Sequence, residues 1–343
     1  MNGGVVVRGE SAFGANDSPI RAAGYCSIAT YNAALEINRH PIALADGSAL
    51  ILSTWKANAE NKVGSLISGS GDLLTADIGN GSPVMEFTGD HSGFTGTYYI
   101  QGCSRATPET YSPLASICLA DATNGTGVIE ASGRFVRKPG TGKGEICWKT
   151  HPCYATLGYG LRGGFSAKGG ALTVDLGGDG RVLVPGSDYL PENAVIQLQS
   201  AYSDGELTMA NGFDLDGKLQ KVAVCTGKAA TLAGGLSDAV GGGCLDVEGD
   251  LSCSGTIKLT AANLRAPLLT STGALTFRDA ALDVSGLTET ELEGLADGVV
   301  VATAAGGVSG TVRTIGGPSG WVARLVRGKL RYDVPKGLAI VVR

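Results

Sequence analysis

Residues 65–96 read SLISGSGDLLTADIGNGSPVMEFTGDHSGFTG, and the punctuation of this stretch decides the fold. Short aliphatic runs (Ser65-Leu66-Ile67, Leu73-Leu74 and Val84-Met85-Glu86-Phe87) alternate with Gly-Ser, Gly-Asp and Asn-Gly turns, which accept positive φ or sharp bends. No run between turns is long enough for a helix. Strands this short cannot bury an apolar face alone, so each unit must stack on neighbours. The segment is expected to be one coil of a parallel β-solenoid.

Working outward, residues 1–62 run as GVVVRG, YCSIATY, AALEI, PIALA and SALILSTW with Gly or polar breaks between them, and the central stretch closes with GTYYIQG. Residues 103–162 hold prolines and Cys-rich turns (CSRATPETYSPLASIC, CWKTHPCY) and are expected to form an irregular, loop-rich insert of loops and short strands projecting from one side of the coil. From Gly163 regular runs return: Leu172-Thr173-Val174-Asp175-Leu176, then Arg181-Val182-Leu183-Val184. A second pass then echoes the first, with Asn38 matched to Asn211 and Ser68 to Ser237. The domain expectation is a β-helix over 1–286, made of related passes at about 1–102 and 163–286, with a cap over 287–343.

The tail departs from both passes. Thr288 and Glu291 form a capping-box pair ahead of Leu292, Leu295 and Ala296, with Gly298 as the stop, which predicts one short helix. GVVVATA, GTVRTI, GWVARLVRGKLRYDV and GLAIVVR read as longer strands, with a hairpin tip at Arg327-Gly328-Lys329. Antiparallel strands at this end would cover the open rung of a solenoid.

Four motifs carry a family resemblance: Leu66-Ile67-Ser68-Gly69-Ser70-Gly71-Asp72-Leu73, then Phe87-Thr88-Gly89-Asp90-His91-Ser92-Gly93-Phe94-Thr95-Gly96, Gly163-Gly164-Phe165-Ser166-Ala167, and Val240-Gly241-Gly242-Gly243-Cys244-Leu245. In their order they resemble the autotransporter- or passenger-associated β-helical repeats of bacterial surface proteins. His91 stands where that family usually has Asn, and Thr95-Gly96 where it has a Gly pair. The resemblance implies a single-stranded right-handed parallel β-helix, secreted or surface-displayed, serving as an adhesin or stalk without catalytic machinery. No outer-membrane barrel is written in the C-terminal residues, so self-secretion is not part of the expectation.

Composition agrees with closely stacked small strands. Glycine, at 54 of 343 residues, is about twice its usual share, and the charged fraction of 17% is low. With a net charge of −5 and dispersed Lys and Arg, the chain has no electrostatic footprint for nucleic acid. No apolar run is long enough for a spanning helix. The start MNGGVVVRGES has no signal-peptide pattern, so the chain reads as a mature form or a piece of something longer. Eight cysteines fit an oxidising compartment, with sequence-close candidate pairs Cys103–Cys118, Cys147–Cys153 and Cys244–Cys253; buried free thiols are the equal alternative.

Candidate chemistry is sparse. Asp246, Glu248 and Asp250 would share one strand face as a Ca²⁺ or sugar site, or as a solvated edge. Asp204, Glu206, Asp214 and Asp216 form a looser acidic set. Gly177-Gly178-Asp179-Gly180 is a turn with a faint likeness to a Ca²⁺-binding nonapeptide. Cys147, His151 and Cys153 offer three zinc-ligand types without a fourth. His40 and His91 lack a nucleophile motif around them, and Gly169-Gly170 lacks the Lys-Ser/Thr of a phosphate loop. Tyr98, Tyr99, Tyr154 and Tyr159 would line either a sugar face or the inside of a coil. No catalytic, metal or cofactor residues are assigned. The expected role is structural, with a surface glycan, a protein or neighbouring copies as partner. A β-helical polysaccharide lyase or hydrolase and a self-associating filament subunit are the alternatives.

Overall fold

The computed structural model describes residues 3–334 apart from 9, 15–16, 57–58, 77–83, 122–126, 156–159, 294 and 296–297. The expected Asn80-Gly81 turn, Tyr159, Ala296 and the final GLAIVVR run lie outside the described residues. Strand makes up 52% of the structure and helix 6%, which places the chain in the all-β class. Its largest sheet is curled and mixed. The chain divides into two compact units, Met1–Gly180 with Gly186–Thr208, and Arg181–Pro185 with Met209–Arg343.

In the first unit, seven strands pair side by side in chain order, all parallel: Gly3–Val7, Tyr25–Thr30, Ala49–Thr54, Asp72–Ala76, Thr97–Gln101, Ser116–Leu119 and Ile146–Trp148. Register brings Leu50, Leu73, Tyr98, Ile117 and Ile146 into one column, and Ile28, Leu52, Thr75, Ile100, Leu119 and Trp148 into another. Every one of these side chains is buried. A one-residue slip would turn both columns outward, so the apolar pattern itself fixes the pairing. The later strands TYYIQ, SICL and ICW are buried on both faces, which is why they read as unbroken apolar runs.

Two further strand stacks complete this unit. Ile20–Ala22, Ile42–Leu44 and Ile67–Gly69 stack Ile20, Ile42 and Ile67. The other stack runs from Glu36–Ile37 through Glu60–Val63, Val84–Phe87, Cys103–Arg105 and Gly127–Arg137 to Leu161–Leu176. Rungs approach most closely at the corners. A Cβ on Gly96 would lie 1.8 Å from the Gly71 carbonyl oxygen, so only glycine fits the Thr95-Gly96 corner.

Residues 103–162, expected as a loop-rich insert of loops and short strands, are built around four paired strands. They supply strands Cys103–Arg105, Ser116–Leu119, Gly127–Arg137 and Ile146–Trp148, each in register with the rung before it. The prolines and polar turns sit in the connections between these strands, where added length does not disturb pairing. One connection is held by Arg137, whose guanidinium is buried and donates to the backbone carbonyls of Tyr111, Ser112 and Ala115 at 3.1–3.2 Å.

The second unit repeats the three-strand plan. Gln220, Leu245, Leu269 and Ala302 form one buried column. Ala230, Leu251 and Leu275 form a second, and Phe213, Leu236, Ile257 and Leu282 a third. The matched positions of the two passes are not equivalent: Asn38 is exposed, whereas Asn211 is buried and donates to the Arg181 carbonyl at 2.9 Å.

The expected boundary at 287 falls inside the second compact unit. Val299–Ala304 and Val308–Ile315 extend the columns by parallel pairing with Leu269–Ser271 and Leu275–Asp283, so the tail belongs to the same compact unit. The short helix is a single turn, Glu289–Leu292, held by the reciprocal Thr288–Glu291 capping box. A second one-turn helix at Pro152–Ala155 had no sequence signal. The hairpin is present as read: Val322–Val326 and Lys329–Asp333 pair antiparallel, with Arg327 (φ 47°) and Gly328 (φ 73°) both left-handed, as a two-residue primed turn requires. Lys329–Asp333 pairs antiparallel with Val299–Ala304 on its other side.

Candidate functional site

The first unit carries a cluster of sulfur, imidazole and carboxyl groups on its seven-stranded sheet. Ser27, Ile51, Leu74, Tyr99, Cys118 and Cys147 are successive members of one column. Cys153, Tyr154 and Tyr189 pack against it. The covering segment is tied down by Trp148, whose backbone N–H donates to the Tyr189 carbonyl and whose indole N–H donates to the Gly163 carbonyl, both at 2.8 Å.

His151, 1% exposed, is the hinge of the cluster. Its Nδ1 lies 2.8 Å from Cys153 Sγ and accepts the Cys153 backbone N–H at 3.1 Å. The backbone bond makes Nδ1 the unprotonated nitrogen, so Nε2–H faces Asp72 Oδ2 at 3.2 Å. The rings of Tyr25 and Tyr99 meet the imidazole edge-on, at 5.9 and 4.6 Å. An imidazole oriented in this way can take the Cys153 proton. At rest, burial and then the Asp72 carboxyl push the Cys153 thiol up.

Beside this group, Cys118 and Cys147 are direct neighbours on adjacent strands, with their sulfurs 3.4 Å apart. Cys118 is raised because it shares its proton with Cys147 and is buried, and Cys147 is lowered by the same bond and then by Lys149. All eight cysteines are free thiols. The contact unites one member from each of two expected pairs, since parallel pairing joins residues on neighbouring strands instead of near neighbours in sequence.

A second feature is a ladder of charge. Glu36, Lys62, Glu86, Arg105 and Glu130 face one another in order across five strands, and Ser166 follows. Signs alternate at every step, the favourable arrangement for cross-strand neighbours. Glu36 and Lys62 are exposed, Glu86 and Arg105 half-buried, and Glu130 fully buried. Arg105 lies 3.0 Å from Glu130 and 3.4 Å from Glu60, and the Ser200 hydroxyl donates to the other Glu130 oxygen. Sequence reasoning missed this ladder. Its members are single charges on successive paired strands, and only register assembles them.

The remaining candidates disperse. Asp246 accepts from the Thr270 hydroxyl at 2.7 Å, while Asp250 begins a new strand beyond Gly249 (φ 99°) and accepts the Ala274 N–H at 2.8 Å. The shared face with Glu248 is therefore broken by a corner. Asp204 and Glu206 belong to the first unit, where Asp204 binds Lys168 at 2.8 Å; Asp214 and Asp216 belong to the second, where Asp216 binds Lys218 at 3.2 Å. Gly177–Gly180 is a turn whose Gly180 N–H donates to Asp175 at 2.9 Å. Gly169-Gly170 is a bend inside the Leu161–Leu176 strand. Among the described residues no group of three or more His, Cys, Asp or Glu side chains is arranged so that it could hold a metal ion, Cys147, His151 and Cys153 included. No helix among the described residues is long and apolar enough to cross a membrane.

His40, His91, His151, Tyr98 and Tyr99 are buried, and Tyr154 is half-buried. His40 is buried with Nδ1 2.9 Å from the Ser18 carbonyl. His91 packs among Phe87 and Tyr98, its Nδ1 3.0 Å from the Tyr98 hydroxyl. Burial lowers His91 to about 4 from its usual 6.5, although Asp90 pulls the other way. The folded state therefore resists a proton that the unfolded chain accepts. Stability is expected to be complete above about pH 6.5 and to fall as pH drops towards 4, approaching about 1.4 kcal/mol per pH unit. Urea unfolding of the wild type and His91→Leu between pH 7 and 4 checks this; a slope unchanged in the variant would refute it.

Comparison of the chain with protein-family models, with curated proteins and with solved structures finds no match.

Proposed function

We propose that each unit is part of a right-handed parallel β-helix, and that the chain is a secreted or surface-displayed structural segment of the passenger-repeat type. Its task on this reading is to hold a rigid stack and present connecting loops to a glycan or protein. The observation that carries the reading is the unbroken column Leu50–Leu73–Tyr98–Ile117–Ile146, every member buried and every pairing parallel. Repeating strands whose side chains stack on their own kind form a scaffold whose outer face is free to vary.

A polysaccharide-cleaving enzyme would need acids and bases aimed into an open groove. The Arg105–Glu130 end of the charge ladder has the right residue types, but Glu130 is fully buried and engaged by Arg105 and Ser200. The scaffold reading is therefore the better supported. A glycan-array screen run beside a polysaccharide-degradation assay separates the two. Binding without turnover is expected, and release of new chain ends would overturn the proposal. The filament reading draws on the Gly3–Val7 strand, which pairs with one neighbour and leaves Val5 and Val6 more than half exposed. Light scattering across a concentration series tests it, since a sheet edge of this kind templates pairing.

A further inference from the structure

The sulfur cluster supports a statement that is independent of the scaffold reading. We propose that Cys118 and Cys147 are a redox pair that closes into a disulfide between adjacent strands, and that Cys153 is the thiol through which a small-molecule disulfide delivers the oxidising equivalent. Three observations converge on it. Cys118 and Cys147 are register partners on paired strands with sulfurs 3.4 Å apart, so closing to the bonded distance of about 2.05 Å needs little more than side-chain rotation. Both are nearly sealed, at 5% and 4% exposure, so a bulky oxidant cannot meet them directly. Cys153 is half-buried, packs against the same cluster and has His151 Nδ1 at 2.8 Å as a proton acceptor. The Asp72 carboxyl, 3.2 Å from Nε2, supports the imidazolium that results.

With glutathione disulfide as the oxidant the chemistry balances. Cys153 gives its proton to His151 and its sulfur attacks the glutathione disulfide, breaking that S–S bond. One glutathione leaves as thiolate and recovers the proton, and a Cys153–glutathione mixed disulfide remains. Cys147 then attacks the Cys153 sulfur and expels the second glutathione, which leaves with the Cys147 proton. Cys118 attacks Cys147, forming the final bond and returning its proton to Cys153. Two electrons pass from Cys118 and Cys147 to the two glutathione sulfurs, and Cys153 is regenerated.

The test uses the full chain incubated with glutathione disulfide, quenched with an alkylating reagent and digested without reduction. The expected product has lost two hydrogens, retains no glutathione, joins the Cys118 peptide to the Cys147 peptide, and carries the alkyl group on Cys153. Cys153→Ser is expected to slow closure at least tenfold while reaching the same cross-link, and Cys147→Ser to hold glutathione on Cys153. In Cys118→Ser the bond should stop at Cys147–Cys153. Alkylation of both Cys118 and Cys147 in treated wild type, or a bond joining any other pair, overturns the proposal. Closure of Cys153→Ser at the wild-type rate removes Cys153 from it.

Discussion

Arg105→Met is expected to destabilise the first unit by about 3–5 kcal/mol, the cost of stranding a buried charge. The affected group is Glu130, which is fully buried and relies on Arg105 at 3.0 Å for its counter-charge and on Ser200 for a hydrogen bond. Removing the guanidinium takes away the cation that stands 3.0 Å from the Glu130 carboxyl. Glu130→Gln in the same chain should restore most of the loss, because a neutral amide carries a smaller desolvation cost. At the exposed end of the same ladder, Lys62→Met should cost less than about 1 kcal/mol. Urea midpoints of the three variants check the gradient. Equal effects of Arg105→Met and Lys62→Met would show that burial along the ladder does not matter.

The second large effect is expected at Asp238, which is fully buried in the second unit. Its carboxyl accepts the backbone N–H groups of Gly217 (2.8 Å), Gly241 (3.1 Å) and Gly243 (2.7 Å) and the side-chain N–H of Asn263 (3.1 Å). These donors lie in three successive turns of the chain, so one side chain fastens three corners. Gly243 is fixed by the same arrangement, since a Cβ there would lie 2.7 Å from Leu215 and 2.9 Å from an Asp238 oxygen. Asp238→Ala should cost about 3–4 kcal/mol, because several buried donors lose their acceptor together. Asp238→Asn should rescue little, as its amide would turn donors towards donors. Hydrogen exchange is the direct readout: protection at Gly217, Gly241 and Gly243 should fall together. Independent loss at one of them would mean that the Gly217 corner and the Gly241–Gly243 corner are not coupled through Asp238.

Much of the strand map was legible in the sequence because it depends on local signals. SALILSTW and GTYYIQG announce Ala49–Thr54 and Thr97–Gln101 by their apolar runs, and Thr288 with Glu291 announces a capped turn. The cysteine contacts were not legible. Which sulfur meets which depends on the length of chain between paired strands, and Cys118 and Cys147 are 29 residues apart. The His151–Asp72 contact spans 79 residues, and nothing near either residue signals it. In residues 103–162 the turn-rich connections outweigh the short strands between them, so the sequence does not show which strands pair with which. Proline and cysteine density records what the loops contain and says nothing about whether the rungs beneath them continue.

The alternation of sign from Glu36 to Glu130 limits how such a stack can grow. Inserting a single copied turn would set two acids, or two bases, shoulder to shoulder at the new seam, whereas a copied pair of turns restores the order at both seams. Lengthening or shortening this part of the molecule should therefore be tolerated in even steps and resisted in odd ones.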